Sequence, residues 1–220
     1  MDIMIKLWEM VPQLLGGMGV SVEIFLVTLL FSLPLGLFVS FGRMSKNRVI
    51  RTLFKVYISV MRGTPLMLQL MVVYFGPYYL FGLKLGNGYR IWAAMIGFVI
   101  NYAAYFAEIY RSGIQSMPRG QYEAAKLLGY NRFQTFFWII LPQVTKRILP
   151  SITNEVITLV KDTSLAYTIS VLEMFNIAKA IAAKQASMVP FIAAGVFYYL
   201  FNLLVAVIME HLEKRLSYYR

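Results

Sequence analysis

Glu155, Lys161 and Asp162 stand inside residues 148–172, a stretch that is otherwise apolar in bulk. Charge in hydrocarbon is costly, so such groups mark a water path, a substrate site or an internal ion pair. Glu155 and Asp162 are seven residues apart, which puts them about two turns apart on one helical face. Ser151, Asn154, Thr158 and Thr168 extend this polar stripe, with a gap at Leu165. Thr163 and Ser164 can unwind or cap a helix, or offer a hydroxyl or backbone amide to a small molecule. The alternative for either carboxylate is pairing with Lys161 or another internal cation, and Lys161 itself reads as structural. Asn101, Tyr105 and Glu108 share a face in a second apolar stretch. Glu108 precedes Arg111 by three residues, the spacing of an intrahelical ion pair. Gln69 lies in a third stretch, where a hydrogen bond between helices is the alternative to solute contact. The chemistry these groups offer is recognition of a polar solute. Zero cysteines, the single His211 and the lack of a paired catalytic motif argue against a membrane enzyme. No G-x-x-x-x-G-K-[ST] phosphate loop occurs, so the chain is not an ATPase.

The elements that carry these residues are legible from hydropathy. Of 220 residues, 59% are hydrophobic and 14% charged, against about 25% charged in soluble domains. Uncharged runs cover residues 24–42, 63–83, 91–107 and 185–209. Each is close to the roughly 17–25 apolar residues that span a bilayer. Residues 148–172 make a fifth span. Backbone groups must be satisfied within lipid, so the five are expected to be helices and the chain all-α. The spans are placed near 14–41, 65–81, 90–111, 148–172 and 189–209, in one transmembrane domain over residues 1–220. The acidic Asp2 and Glu9 make the N-terminus a poor signal peptide. Residues 1–13 read as a short interfacial segment with Trp8 at the headgroup level.

The net charge is +11. Fifteen of the 21 basic residues fall in segments 43–62 and 111–147 and at the C-terminus. The positive-inside rule therefore puts these segments and the C-terminus in the cytosol and the N-terminus outside. Orientation and anionic headgroups account for the charge better than nucleic acid does. Residues 43–62, basic with interleaved apolar residues, read as an amphipathic helix on the inner surface. The following Arg62-Gly63-Thr64-Pro65 reads as a break, with Thr64 as N-cap and Pro65 as first helical residue. Gly86-Asn87-Gly88 marks a turn.

The long basic loop, 112–147, has an inner pattern of its own. Glu123-Ala124-Ala125 is followed after three residues by Gly129, and after nine more by Ile139-x-Leu141-Pro142. Glu123 is expected near a helix N-terminus. Ala124 and Ala125 favour helix and leave room for a partner surface. Gly129 can end the helix in a left-handed conformation, and Leu141-Pro142 is expected to stop the next one. An ordinary amphipathic connector is the competing reading of the composition.

This spacing resembles the signature loop of inner-membrane subunits of binding-protein-dependent ATP-binding-cassette importers. Arg62 through Leu66, Asn101 through Gln121 and Lys161 through Leu165 are similar to the polar amino-acid branch of that family. The resemblance implies a type I importer permease fold with five spans and a cytoplasmic coupling helix. It implies a pair of such subunits, identical or homologous, around a translocation path in a bacterial inner membrane. A cytosolic ATPase would bind the ATP and Mg, none being held by this chain, and would receive the loop bearing Glu123, Ala124, Ala125, Gly129, Leu141 and Pro142. An extracytoplasmic binding protein would deliver the amino acid. Asp162, Glu155, Thr163, Ser164, Asn101 and Gln69 are the candidate substrate residues. Two carboxylates beside one lysine favour a cationic amino acid (arginine, lysine or histidine), with glutamine next. An ion-gradient-driven transporter or channel is the alternative from another class.

Overall fold

The computed structural model describes residues 2–86 and 88–216, with residues 2–9 described by backbone alone. The expectations for the Trp8 side chain, Asn87 and Arg220 lie outside the described residues. Those residues form α1 (Asp2–Arg43), α2 (Arg48–Gly63), α3 (Leu66–Phe81), α4 (Tyr89–Gln115), α5 (Arg119–Leu127), α6 (Arg132–Gln134), α7 (Leu141–Asp162), α8 (Met174–Gln185) and α9 (Val189–Leu216). A π-helical segment, Thr135–Ile140, joins α6 to α7, and a 3-10 segment, Thr163–Ile169, follows α7. No strand occurs among the described residues.

Three single helices are long and apolar enough to cross a membrane: Met10–Arg43 within α1, α4 and α9. Two bent pairs raise the number to five where each pair counts as one span. Arg48–Gly63 with Leu66–Phe81 turns by 111°, and Arg132–Ile169 with Met174–Gln185 turns by 59°. The chain is thus an all-α polytopic membrane protein.

The central helix is α4. Its Phe98, Tyr102 and Phe106 are fully or almost fully buried, packed with Ile24, Leu70, Ile140, Leu159 and Ile169. Its longest contact is with α1, and small residues make that contact close. A Cβ on Gly36 would stand 2.8 Å from Phe106 Cβ and 3.1 Å from the Ala103 carbonyl oxygen. By contrast α9 leaves most of its apolar surface uncovered, as expected of a helix facing lipid or another subunit.

Several expectations need correction. Residues 1–13 are not a separate interfacial segment, because α1 runs unbroken from Asp2. Thr64 does not cap α3. It ends α2, its hydroxyl donating to the Val60 carbonyl at 2.8 Å, while Pro65 occupies the N-cap and the helix begins at Leu66. Residues 174–185, left without structure by hydropathy, form α8 because Glu173 caps them. Leu141-Pro142 does not stop a helix, for the chain stays helical from Arg132 to Ile169. An α-helical proline would clash with the carbonyl four residues back. Here the wider π turn lies immediately before Pro142, and it gives that ring room.

Candidate functional site

The six residues expected to contact solute do not converge on one spot. Gln69 and Asn101 form a knot at the bend between α2 and α3. The Asn101 amide donates to Gln69 Oε1 at 2.9 Å and to the Met61 carbonyl at 3.2 Å. The Gln69 amide donates to the same Met61 carbonyl, the Thr64 carbonyl and the Thr64 hydroxyl at 2.9, 3.1 and 2.9 Å. Both amides satisfy carbonyls that the broken helix leaves open.

Thr163 and Ser164 turn inward on their own backbone. Their hydroxyls donate to the Val160 and Lys161 carbonyls at 2.8 and 2.7 Å. This is where α7 tightens into the 3-10 segment. Thr163 is fully buried, Ser164 half-buried.

The two carboxylates sit at different depths. Glu155, half-buried, lines a cleft of about 540 Å3 with Arg62, Tyr105, Glu108, Arg111, Arg147 and Ser151 among its walls. Asp162 is half-buried and does not line that cleft. It accepts a hydrogen bond from the Tyr102 hydroxyl at 2.7 Å. Three ion pairs occur among the described residues: Arg43–Glu108 at 3.9 Å, Arg111–Glu108 at 2.6 Å and Lys214–Glu210 at 2.6 Å. Neither Glu155 nor Asp162 is in one. The Glu108–Arg111 pair takes the form its spacing predicts, with Arg111 donating from both Nε and Nη2. Four further polar residues of α7, Ser151, Asn154, Thr158 and Lys161, are exposed along one face.

Sequence reasoning missed Tyr102, Arg62 and Glu173. Aromatic residues in apolar runs read as packing, and Tyr102 would be ordinary packing but for its hydroxyl on Asp162. Arg62 was counted as surface charge. Its guanidinium instead lies 5.3 Å from the Tyr105 ring centroid, at the mouth of the cleft. Glu173 is fully buried. Its carboxylate accepts from the Phe175 and Asn176 amides, both at 2.7 Å, and from the Tyr198 hydroxyl at 2.9 Å. Glu at the position before an apolar helix was the available signal.

The loop residues assemble as a compact hairpin. Pro118 precedes α5, and Gly129 has φ +81°. The Gly129 amide donates to the Lys126 carbonyl and the Tyr130 amide to the Ala125 carbonyl, both at 3.1 Å. These are the two bonds of a Schellman cap. Glu123 falls in the second turn of α5, not the first, because the helix starts at Arg119. Its backbone dipole advantage is correspondingly small. Ala125 is buried and Ala124 exposed. Asn131 and Gln134 cap each other reciprocally at 2.9 and 3.0 Å. Arg147 fixes the approach to the hairpin by donating to the Ser116 carbonyl and hydroxyl at 2.6 and 2.9 Å. Leu127, Leu128, Phe133 and Trp138 remain exposed, Leu127 at 89%. Exposed apolar side chains of this kind mark a surface that meets another protein or the membrane. No group of His, Cys, Asp and Glu among the described residues could hold a metal ion.

Five apolar spans around half-buried carboxylates, with a capped apolar hairpin at one end, define a membrane permease. Residues 32–218 match the model of the binding-protein-dependent transport system inner membrane component, and the chain belongs to that family. It is 37% identical over 208 residues to the arginine transport system permease protein ArtQ of Bacillus subtilis (strain 168), covering 94% of each chain. It is 36% identical over 219 residues to the L-cystine transport system permease protein TcyB of the same organism, covering 96% of this chain and 92% of that one. The fold superposes with a TM-score of 0.85 and 29% identity on the crystal structure of an amino acid ABC transporter with histidines, covering 96% and 97% of the two chains. The chain is an inner-membrane permease component of a binding-protein-dependent transport system.

Proposed function

We propose that this permease carries a cationic amino acid, arginine, lysine or histidine, by alternating access. The observation that carries this reading is a pair of half-buried carboxylates, Glu155 and Asp162, on one helix and outside every ion pair among the described residues. A carboxylate in a span is costly without a counter-charge, and a cationic solute supplies it in transit. The arginine system relative is in keeping with this, and the cystine relative favours a neutral substrate. Asp162, held by Tyr102, binds the side-chain cation. Glu155, in the cleft, receives it on the way out. Thr163 and Ser164 shape the turn beside them, and Gln69 and Asn101 hold the α2–α3 bend that must move.

In this reading residues 1–220 act as one permease domain, with the hairpin and the C-terminus in the cytosol and the N-terminus outside. Two such subunits, identical or homologous, pair around the path. A cytosolic ATPase binds ATP and Mg and receives α5, with Glu123, Ala124, Ala125 and Gly129 facing or shaping the contact. Leu141 and Pro142 set the register between hairpin and span. An extracytoplasmic binding protein delivers the substrate. The test is ATPase activity of the reconstituted complex across a panel of amino acids. Stimulation by arginine or lysine well above glutamine and cystine is expected; equal stimulation by neutral amino acids would overturn the cationic assignment.

A further inference from the structure

Helix α2 has three faces. Phe54, Tyr57, Ile58 and Met61 pack on α1 and α4, and the Tyr57 hydroxyl donates to the Ile100 carbonyl at 2.5 Å. Val49, Leu53, Val56 and Val60 form an uncovered apolar stripe at helical spacing, Val49 at 77% and Leu53 at 69% exposure. Arg48, Arg51 and Lys55 form a third, exposed face, with Lys46 just before it. None of these four is in an ion pair among the described residues. No acidic residue occurs anywhere from 24 to 107 to balance them. The helix does not run with the spans, since it meets α3 at 111°. Asn47 caps its start by accepting from the Val49 and Ile50 amides at 2.9 and 3.4 Å.

We propose that α2 is a binding site for anionic phospholipid headgroups, and that its occupancy sets the position of the α2–α3 bend. A helix lying across the spans, with an apolar stripe beside an unbalanced basic stripe, matches one surface: the boundary where acyl chains meet negative headgroups. The lipid reaches the interior through contacts already described. The Met61 carbonyl, at the end of α2, accepts from both Asn101 and Gln69. The next residue, Arg62, covers Tyr105 at the cleft mouth. Pulling α2 toward the headgroups therefore shifts the knot between α3 and α4 and the cationic edge of the cleft.

The chain has no cysteine, so single nitroxide labels at L53C and K55C report position without background. In the assembled complex in phosphatidylglycerol-containing nanodiscs, the L53C label is expected to be accessible to oxygen and the K55C label to a water-soluble nickel chelate. Counting bound phosphatidylglycerol by native mass spectrometry should show R48Q/R51Q/K55Q binding it roughly tenfold or more weakly. The same variant should lose the rise in ATPase activity that phosphatidylglycerol gives over phosphatidylcholine, while keeping its activity in phosphatidylcholine. A label at L53C shielded from both reagents would mean a protein covers the stripe, and would overturn the proposal. So would a triple variant with unchanged lipid retention. The labels and the lipid count need no transport, so they stand apart from the substrate assignment.

Discussion

In the proposed reading Asp162 is the residue on which substrate choice turns, and the Tyr102 hydroxyl positions it. A lone carboxylate at that depth would be free to swing toward Lys161. A hydroxyl donated at 2.7 Å fixes its orientation and leaves its second oxygen available. D162N removes the charge and keeps the shape. It should lower arginine stimulation of ATPase at least about tenfold, the equivalent of about 1.4 kcal/mol, and affect any neutral substrate less. Y102F leaves Asp162 in place without its donor. It should cause a smaller loss in the same direction, since the carboxylate charge that attracts the cation stays in place and only its orientation is freed. Equal losses for cationic and neutral substrates in D162N would remove the charge argument. Gly129 makes a separate case. No atom crowds a Cβ built there, so only φ +81° resists substitution. Asn tolerates that conformation and a β-branched residue does not. G129N should therefore retain coupled uptake in proteoliposomes, while G129V hydrolyses ATP with little uptake. Identical behaviour of the two would show that the Schellman cap is not what the partner reads.

At the scale of elements, hydropathy showed where helices cross but not how they bend. Four apolar runs were plain, because each is long and uncharged, and the fifth, 148–172, is apolar in bulk despite Glu155, Lys161 and Asp162. The sequence also placed the amphipathic helix near 43–62 and the glycine end of α5, both set by local chemistry. It misjudged Pro142, because a proline in isolation stops a helix, and only the wider π turn before it changes that outcome. It missed α8, whose cap is a glutamate that looks like a loop charge until it is buried. It could not show that Gln69 and Asn101 meet, since a contact 32 residues apart in sequence depends on how α3 folds back onto α4. The α1–α4 packing gives this scale its prediction. Gly36 approaches backbone atoms of α4, which cannot rotate away. G36V should destabilise the complex by about 1–3 kcal/mol through overpacking, read as a lower thermal unfolding temperature in detergent. The distant G195V, with nothing near its Cβ, should leave it unchanged. A G36V protein with the stability of the parent would mean α1 and α4 are not in contact as described.

Across the whole molecule, the charge distribution and the position of α5 make a joint commitment. The basic segments 43–62 and 111–147 sit at the ends of spans that share one side, and the hairpin with exposed Leu127 belongs to the second of them. Lys84 and Lys184 sit at the opposite ends, after α3 and within the last turn of α8. If orientation follows the basic residues, the hairpin faces the compartment that holds ATP and the Lys84 loop faces the delivering protein. The absence of native cysteine makes this measurable in intact cells with a membrane-impermeant maleimide. K84C and K184C should label from outside, and L127C should label only after the membrane is opened. L127C should also lose its labelling in opened membranes when the ATPase is present, because the apolar patch is then covered. External labelling of L127C would invert the molecule and remove the docking role of α5. Labelling in opened membranes that ignores the ATPase would keep the orientation and move the contact elsewhere on the basic side.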